Sequence, residues 1–140
     1  MSLTIQITVT PKVLYALSEG EFDMEDAKRT FLEIVDALID SHSEKVLFDG
    51  RGITGNPQTI ERFYYGEFVA TSFRRPTDEG AIVGSPRITY ILTPPVLDAE
   101  RLGETVAVNR GLDVKAFHNL AEGIAWLGLT PEDLETVAAK

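Results

Sequence analysis

The sequence predicts a single α/β domain: one layer of mostly parallel β-sheet with an N-terminal hairpin, flanked by helices. Short apolar strands alternate along the chain with longer helical patterns, and parallel strands joined in this way need crossover helices. The 140 residues suffice for one full core but not comfortably for two. We therefore expect residues 1–140 to form one folded domain.

The N-terminal part of the chain predicts a hairpin followed by a long helix. Residues 3–9 alternate apolar and polar side chains, as a half-buried strand does, and residues 13–17 form a second extended run. The turn around Pro11 indicates that these two strands pair. Asp23 has the position of an N-cap before apolar residues at helical spacing, so a helix is predicted over residues 24–41.

The middle of the chain predicts another strand and another helix. Residues 45–49 form a short apolar run that is typical of a buried strand. Asn56 and Pro57 have the residue types preferred at the N-cap and the first helical position, which predicts a second helix to about Arg74. Residues 76–86 lie between two prolines and predict the most flexible loop of the domain.

The C-terminal part repeats the alternation and then adds two short helices. A strand is predicted over residues 87–93, followed by a helix over residues 98–111 that is capped by the aspartate at its start. Residues 113–118 predict the last strand. Asn119 and Thr130 each precede a helical pattern and predict the starts of the two short helices.

The composition excludes several classes of function. Thirteen Lys and Arg against 22 Asp and Glu leave a net charge of -9, which repels nucleic-acid backbones and anionic membranes. The chain has no cysteine, and its two histidines, His42 and His118, share no metal-ligand spacing. We therefore expect no nucleic-acid partner, no metal and no cofactor.

The first ten residues, MSLTIQITVT, lack the charged and apolar regions of a secretory signal. No stretch approaches the 18 consecutive apolar residues that predict a transmembrane helix. We therefore expect a cytoplasmic protein with no transmembrane segment.

Gly50, Gly52 and Gly55 have the G-x-G-x-x-G spacing of dinucleotide-binding turns. Those sites also need an acidic residue about 20 positions later at the tip of a strand, and here that region, TSFRRPTDE, predicts a helix end and a loop. Asp49 would place a carboxylate beside any phosphate, at a cost in affinity unless Arg51 offsets its charge. We favour a turn that leads into a helix; a nucleotide- or anion-binding protein or enzyme centred on this loop is the alternative.

The order of elements resembles the SpoIIAA-like branch of the STAS domains. The stretches GEFDMEDA, VLFDGRGITG and ETVAVNRGLDVKAFHNLAEGIAWL carry the resemblance, which extends from about residue 5 to residue 128. It implies a STAS-like, non-enzymatic domain that binds a regulatory protein partner or a small apolar ligand. The fold of this family is similar to that of CRAL-TRIO lipid-transfer domains, which keeps ligand binding open.

Anti-sigma-factor antagonists of the STAS family carry a phosphorylatable serine in an Asp-Ser-Ser-Gly motif at a strand-to-helix turn. The matching positions here read Asn56, Pro57, Gln58 and Thr59, so the resemblance implies that the serine switch is missing. Thr59 and Thr54 are the only hydroxyls nearby, and an anion there would gain from the helix N-terminus. The candidate binding residues of this region are Asp49, Arg51, Thr54, Asn56 and Thr59.

Five aromatic residues lie within eleven positions of the second predicted helix: Phe63, Tyr64, Tyr65, Phe68 and Phe73. At about 100° per residue, Phe63, Tyr64 and Phe68 share one arc, which we expect to face the sheet. Tyr65 and Phe73 point elsewhere. Either another part of the same chain covers them, or they form an apolar surface for a ligand, a partner or a second subunit, with a homodimer as the favoured case.

Overall fold

The protein forms a five-stranded sheet flanked by helices in a computed structural model, which describes residues 3–82, 84, 86–98 and 102–138. The strands are β1 (Leu3–Val9), β2 (Leu14–Glu21), β3 (Lys45–Thr54), β4 (Arg87–Ile91) and β5 (Asp113–Phe117). The helices are α1 (Met24–Ser41), α2 (Thr59–Asp78), α3 (Leu102–Asn109), α4 (Leu120–Trp126) and α5 (Pro131–Ala138). The predicted α/β class is confirmed, and no helix in the described ranges is long and apolar enough to cross a membrane.

The strands follow one another in the sheet in chain order. β1 and β2 pair antiparallel as the predicted hairpin, and every later neighbour is parallel. Crossovers between parallel strands are right-handed, and here each one steps in the same direction along the sheet, so α1, α2 and α3 pack on one face. The helices after β5 pack on the opposite face.

A hydrophobic core lies on each side of the sheet. Phe48 of β3 and Tyr90 of β4 point into the larger core with α1, α2 and α3. Leu47 and Ile91, their neighbours in sequence, point into the smaller core with α4. Successive side chains of a strand point to opposite faces, so the central strands are buried on both sides, as is usual for parallel sheets.

Helix caps form where the sequence predicts them for α1 and α4. The Asp23 carboxylate accepts the backbone N–H of Asp26 at 3.1 Å, and the Asn119 side chain accepts that of Glu122 at 3.2 Å. Each cap satisfies one of the backbone donors that a helix start leaves unpaired. The cap predicted at the start of the third helix concerns residues next to 99–101, which lie outside the described residues.

The predicted bounds of α2 are wrong at both ends. The helix begins at Thr59 after Gln58, not at Asn56 and Pro57, and it continues to Asp78 instead of ending near Arg74. Pro76 lies in its last turn, where one missing N–H donor breaks a single hydrogen bond. The helix ends because Gly80 takes a positive φ of 79°. The start of the predicted loop at residues 76–86 is therefore helical.

The strands β2 and β3 are longer than predicted. β2 continues to Glu21 and β3 to Thr54, because Gly52 pairs with Glu19 and Thr54 pairs with Glu21 beyond a register shift. Glycine interrupts the apolar pattern that predicts a strand, so the sequence predicts that β3 ends before Gly50. The pairing with β2 that continues the strand cannot be seen in the sequence. β4 and β5 each end slightly earlier than predicted, at Ile91 and Phe117.

Candidate functional site

The face of α2 that packs on the sheet differs from the predicted one. Tyr64, expected to face the sheet, is 55% exposed, and the half-buried Phe63 packs on its ring with a centroid separation of 5.8 Å. Phe68 is half-buried at the edge of the core. The buried face consists of residues spaced by three or four positions: Gly66, Val69, Ala70 and Phe73. The prediction that Phe63, Tyr64 and Phe68 face the sheet is therefore wrong for Tyr64.

Phe73 and Tyr65 are covered by their own chain. Phe73 is buried, and its ring centroid lies 5.7 Å from that of Phe31 in α1. Tyr65 packs edge-on against the same Phe31 ring at 6.4 Å and against Tyr90 at 6.3 Å. The structure thus removes the reason for placing a second subunit on these two residues, while the homodimer itself stays a prediction.

Tyr65 borders a cavity of about 120 Å³ between the sheet and the helices α1, α2 and α3. Its walls are mainly apolar and include Phe22, Phe48, Ile53, Val69, Leu92, Val96, Leu97, Ala107 and Val114. A dry apolar cavity of about 150 Å³ is known to accept benzene. The space behind α2 therefore has the size and the lining of a site for a small apolar molecule.

Two tyrosine hydroxyls provide the polar contact within this lining. The Tyr65 and Tyr90 oxygens lie 2.9 Å apart, and either hydroxyl can be the donor. Burial raises the pKa of Tyr65 to about 12 and that of Tyr90 well above its ordinary value. Both phenols are therefore neutral at physiological pH.

Arg62 holds the segment after β4 against the start of α2. Its guanidinium donates to the carbonyls of Val96 and of Pro95, the latter at 2.7 Å, and lies 3.4 Å from the Asp98 carboxylate. A further contact of 3.4 Å reaches the side-chain oxygen of Asn56. Arg62 is thus engaged at the rim of the cavity, where it ties α2 to one of the cavity walls.

The candidate residues Asp49 and Arg51 lie on the other face of the sheet. The Asp49 carboxylate, 2% exposed, accepts the Tyr15 hydroxyl at 2.6 Å and the Arg51 guanidinium at 2.7 and 2.9 Å. Tyr15 packs beside Leu47 on the α4 side. The predicted site residues are therefore divided between two faces, and Asp49 and Arg51 do not share a site with Tyr65.

The electrostatics of Asp49 follow from opposing effects. Burial by itself raises the pKa of Asp49, but hydrogen bonds from Arg51 and Tyr15 outweigh burial and hold the pKa below its usual value. The same contact raises the pKa of the Arg51 guanidinium. The carboxylate and the guanidinium thus neutralise each other, which leaves little attraction for an outside anion.

Because the pKa of Asp49 is lower in the folded protein, its carboxylate stabilises the fold above the unfolded value of about 3.9. This contribution is lost as the pH falls through the lower, folded pKa. We expect Asp49→Asn to cost about 1 to 2 kcal/mol at pH 7, and the difference from wild type to shrink towards pH 2. Urea unfolding of both proteins at several pH values measures it, and a difference independent of pH would contradict the assignment.

Thr54, Asn56 and Thr59 are all exposed around the connection from β3 to α2. Thr54 is the last residue of β3, and its hydroxyl lies 3.5 Å from the carbonyl oxygen of Gly20 in β2. Thr59 is the first residue of α2. Asn56 reaches the cavity rim through its contact with Arg62. These three residues thus lie on the surface, outside the apolar lining.

Two of the three glycines of the G-x-G-x-x-G stretch continue the sheet, and the third, Gly55, lies just beyond β3 with a positive φ of 111°. Gly50 and Gly52 lie within β3, and residues 52–54 pair with β2. A Cβ on Gly50 would lie 2.7 Å from Leu92 Cδ2 and 2.9 Å from side-chain atoms of Ile53 and Phe48, all three in the cavity wall. Gly50 is therefore explained by close packing, and the backbone here does not form the helix-capping turn of a phosphate site.

Sequence reasoning missed Arg62 and Tyr90. A buried phenol needs a hydrogen-bond partner, so a tyrosine within the apolar strand β4 is itself a signal for a polar contact. Arg62 lies one helical turn before Gly66 and two turns before Val69 and Ala70, so the small residues of α2 indicate its face.

No protein-family model matches the sequence, and no curated protein matches it. Among solved structures, an anti-sigma factor antagonist from Mycobacterium paratuberculosis is similar with a TM-score of 0.58 and 11% identity, covering 91% of this chain and 95% of that chain. The anti-sigma factor antagonist SpoIIAA in its unphosphorylated form is similar with a TM-score of 0.50 and 13% identity, covering 91% of this chain and 99% of that one. The chain thus has the fold of SpoIIAA-type STAS domains, as the resemblance predicts.

Proposed function

We propose that this chain is a non-enzymatic regulatory domain whose cavity behind α2 binds a small apolar molecule. One observation carries the proposal: a pocket of about 120 Å³, partly open to solvent, lies between the sheet and the helices and is bordered mainly by apolar side chains. Fold alone does not define function, so the proposal depends on this site.

Packing energetics favour an occupied cavity. Protein interiors have few voids larger than a water molecule, and empty apolar volume costs stability because the lining atoms lose contacts. The charged groups at the rim already have partners, Arg62 with Asp98 and Glu104 with the backbone N–H of Ala116 at 2.6 Å. An apolar ligand would restore the missing contacts without displacing any ion pair.

The regulatory part of the proposal draws on the structural neighbours. Both are described as anti-sigma factor antagonists, which by that description act on another protein. Regulation by a ligand requires that an occupied cavity change the affinity for the partner protein. Equal partner affinity with and without ligand would exclude this role.

The ligand proposal is testable with methylenecyclohexane, a hydrocarbon with a ring of about benzene's size. We expect it to raise the melting temperature of the wild-type protein saturably, since a ligand that binds only the folded state stabilises it. Ala107 is buried on α3 and lines the cavity, so Ala107→Leu should fill the space and abolish the rise. Differential scanning calorimetry in sealed cells measures both.

Ala121→Leu provides the matched control. It adds the same atoms to an exposed position of α4, on the opposite face of the sheet, and should leave the ligand response intact. A wild-type protein without a saturable rise would refute the ligand proposal. An undiminished rise in a folded Ala107→Leu protein would place the binding elsewhere.

A further inference from the structure

The hydroxyl groups of Tyr65 and Tyr90 carry two protons, but they form only one hydrogen bond with each other. Tyr65 and Tyr90 both line the cavity, and their oxygens contact each other at 2.9 Å. Each neutral phenol carries one O–H donor, and a single contact uses only one of the pair. Across the described ranges of the chain, no other group accepts a hydrogen bond from either hydroxyl.

A buried O–H donor without an acceptor destabilises the fold, and a ligand in the cavity can supply the missing acceptor. A polar group left unsatisfied in a core loses its hydration without gaining a hydrogen bond in return. Both tyrosines belong to the cavity lining, so an acceptor atom of a cavity ligand lies beside the pair. Burial keeps both phenols protonated by raising their pKa values, so the spare proton is present at physiological pH.

The charged residues of the lining argue against a charged ligand. Glu61 accepts the backbone N–H of Gln58 at 2.8 Å, Glu104 accepts that of Ala116, and Arg62 is engaged by Asp98 and by backbone carbonyls. A ligand ammonium could pair with Glu61 or Glu104, but it has no lone pair to accept the spare phenol proton. A ligand carboxylate would have to break an Arg62 contact to find a counter-charge. A charge left without one in an apolar cavity is strongly disfavoured.

We infer that the cavity ligand is a neutral, mainly apolar molecule with one hydrogen-bond acceptor, such as a ketone or ether oxygen, which takes the spare proton of the Tyr65–Tyr90 pair. This inference rests on the proposed function, because it names the class of ligand for the same cavity. Hydrogen bonds between neutral groups contribute modestly to affinity, but they discriminate between ligands of the same shape.

Cyclohexanone and methylenecyclohexane form a suitable pair of probes, because they differ only by an oxygen in place of a CH₂ group. The ketone is better hydrated in water, so the informative quantity is the change of each affinity between protein variants. In Tyr65→Phe/Tyr90→Phe we expect the affinity for cyclohexanone to fall about three- to tenfold and that for methylenecyclohexane to stay unchanged. Titration calorimetry measures the four dissociation constants.

Tyr64→Phe is the control, since it makes the same substitution on the same helix at a hydroxyl outside the cavity lining. It should change neither affinity. Each single variant, Tyr65→Phe or Tyr90→Phe, keeps one hydroxyl with a proton to donate and should retain most of the ketone affinity.

The infrared carbonyl stretch of bound cyclohexanone gives a second test that needs no variant. We expect a lower frequency than in a hydrocarbon solvent, because a hydrogen bond weakens the C=O bond. An unshifted stretch, or an equal loss of both probes in the double variant, would overturn the inference and leave the apolar cavity in place. If neither probe binds the wild-type protein, the proposed function fails together with the inference.

Discussion

Phe73→Ala is expected to lower the free energy of unfolding by about 3 to 5 kcal/mol, the usual cost of truncating a core aromatic residue. Phe73 is 4% exposed and packs on the ring of Phe31, a buried residue of α1 in the same core. Removing its ring leaves a cavity that two rigid helices and a sheet cannot easily close. Urea unfolding followed by circular dichroism gives the free energy, and an unchanged slope against urea shows that the two-state comparison is valid.

Tyr64→Ala is the matched control because it truncates an aromatic residue of the same helix that is largely exposed. Surface substitutions without special contacts change stability by about 0.5 kcal/mol, and loss of the Phe63 ring contact adds to this. We therefore expect a cost near 1 kcal/mol or less. If Tyr64→Ala proved as destabilising as Phe73→Ala, the buried face of α2 would be the one that the sequence predicts.

The failure to predict that face has a physical reason. The predicted face rests on large aromatic residues, but Ile60, which lies on the same side of α2 as Phe63, Tyr64 and Phe68, is 51% exposed. The true face is marked by Gly66 and Ala70, which are small and buried. Small residues contribute little to the hydrophobic periodicity of a helix. The aromatic residues, which lie on several sides of α2, therefore determine which face the sequence predicts to be buried.

Features set by local chemistry were predictable, and features set by distant pairing were not. The Asp23 and Asn119 caps depend on residues three positions apart and form as predicted. The extension of β3 depends on β2, and the cavity is lined by residues from Leu3 to Ala116. The sequence does not show that Tyr90 points into the larger core. Because β4 is buried on both faces, it lacks the alternation of polar and apolar residues that would indicate which side chains point to that core.

Gly50→Ala tests the structural account of the glycine stretch, and we expect a cost of about 1 to 3 kcal/mol, as for other overpacked positions. Its new Cβ would lie 2.7 to 2.9 Å from side chains of Leu92, Ile53 and Phe48, so these side chains must shift from their packed positions in the cavity wall. The φ of Gly50 is not among the positive ones, so the cost arises from contact and not from backbone strain.

Gly52→Ala is the comparison, two positions further along the same strand. Its Cβ would lie 2.9 Å from Glu19 Cγ, but Glu19 is exposed and its side chain can turn into solvent. We therefore expect a change in the free energy of unfolding of about 0.5 kcal/mol or less. In a phosphate-binding turn both glycines would serve the ligand, and neither alanine would cost much stability without it. Small and equal changes in the free energy of unfolding at both positions would thus contradict the packing explanation. The G-x-G-x-x-G stretch would then again be a candidate anion site.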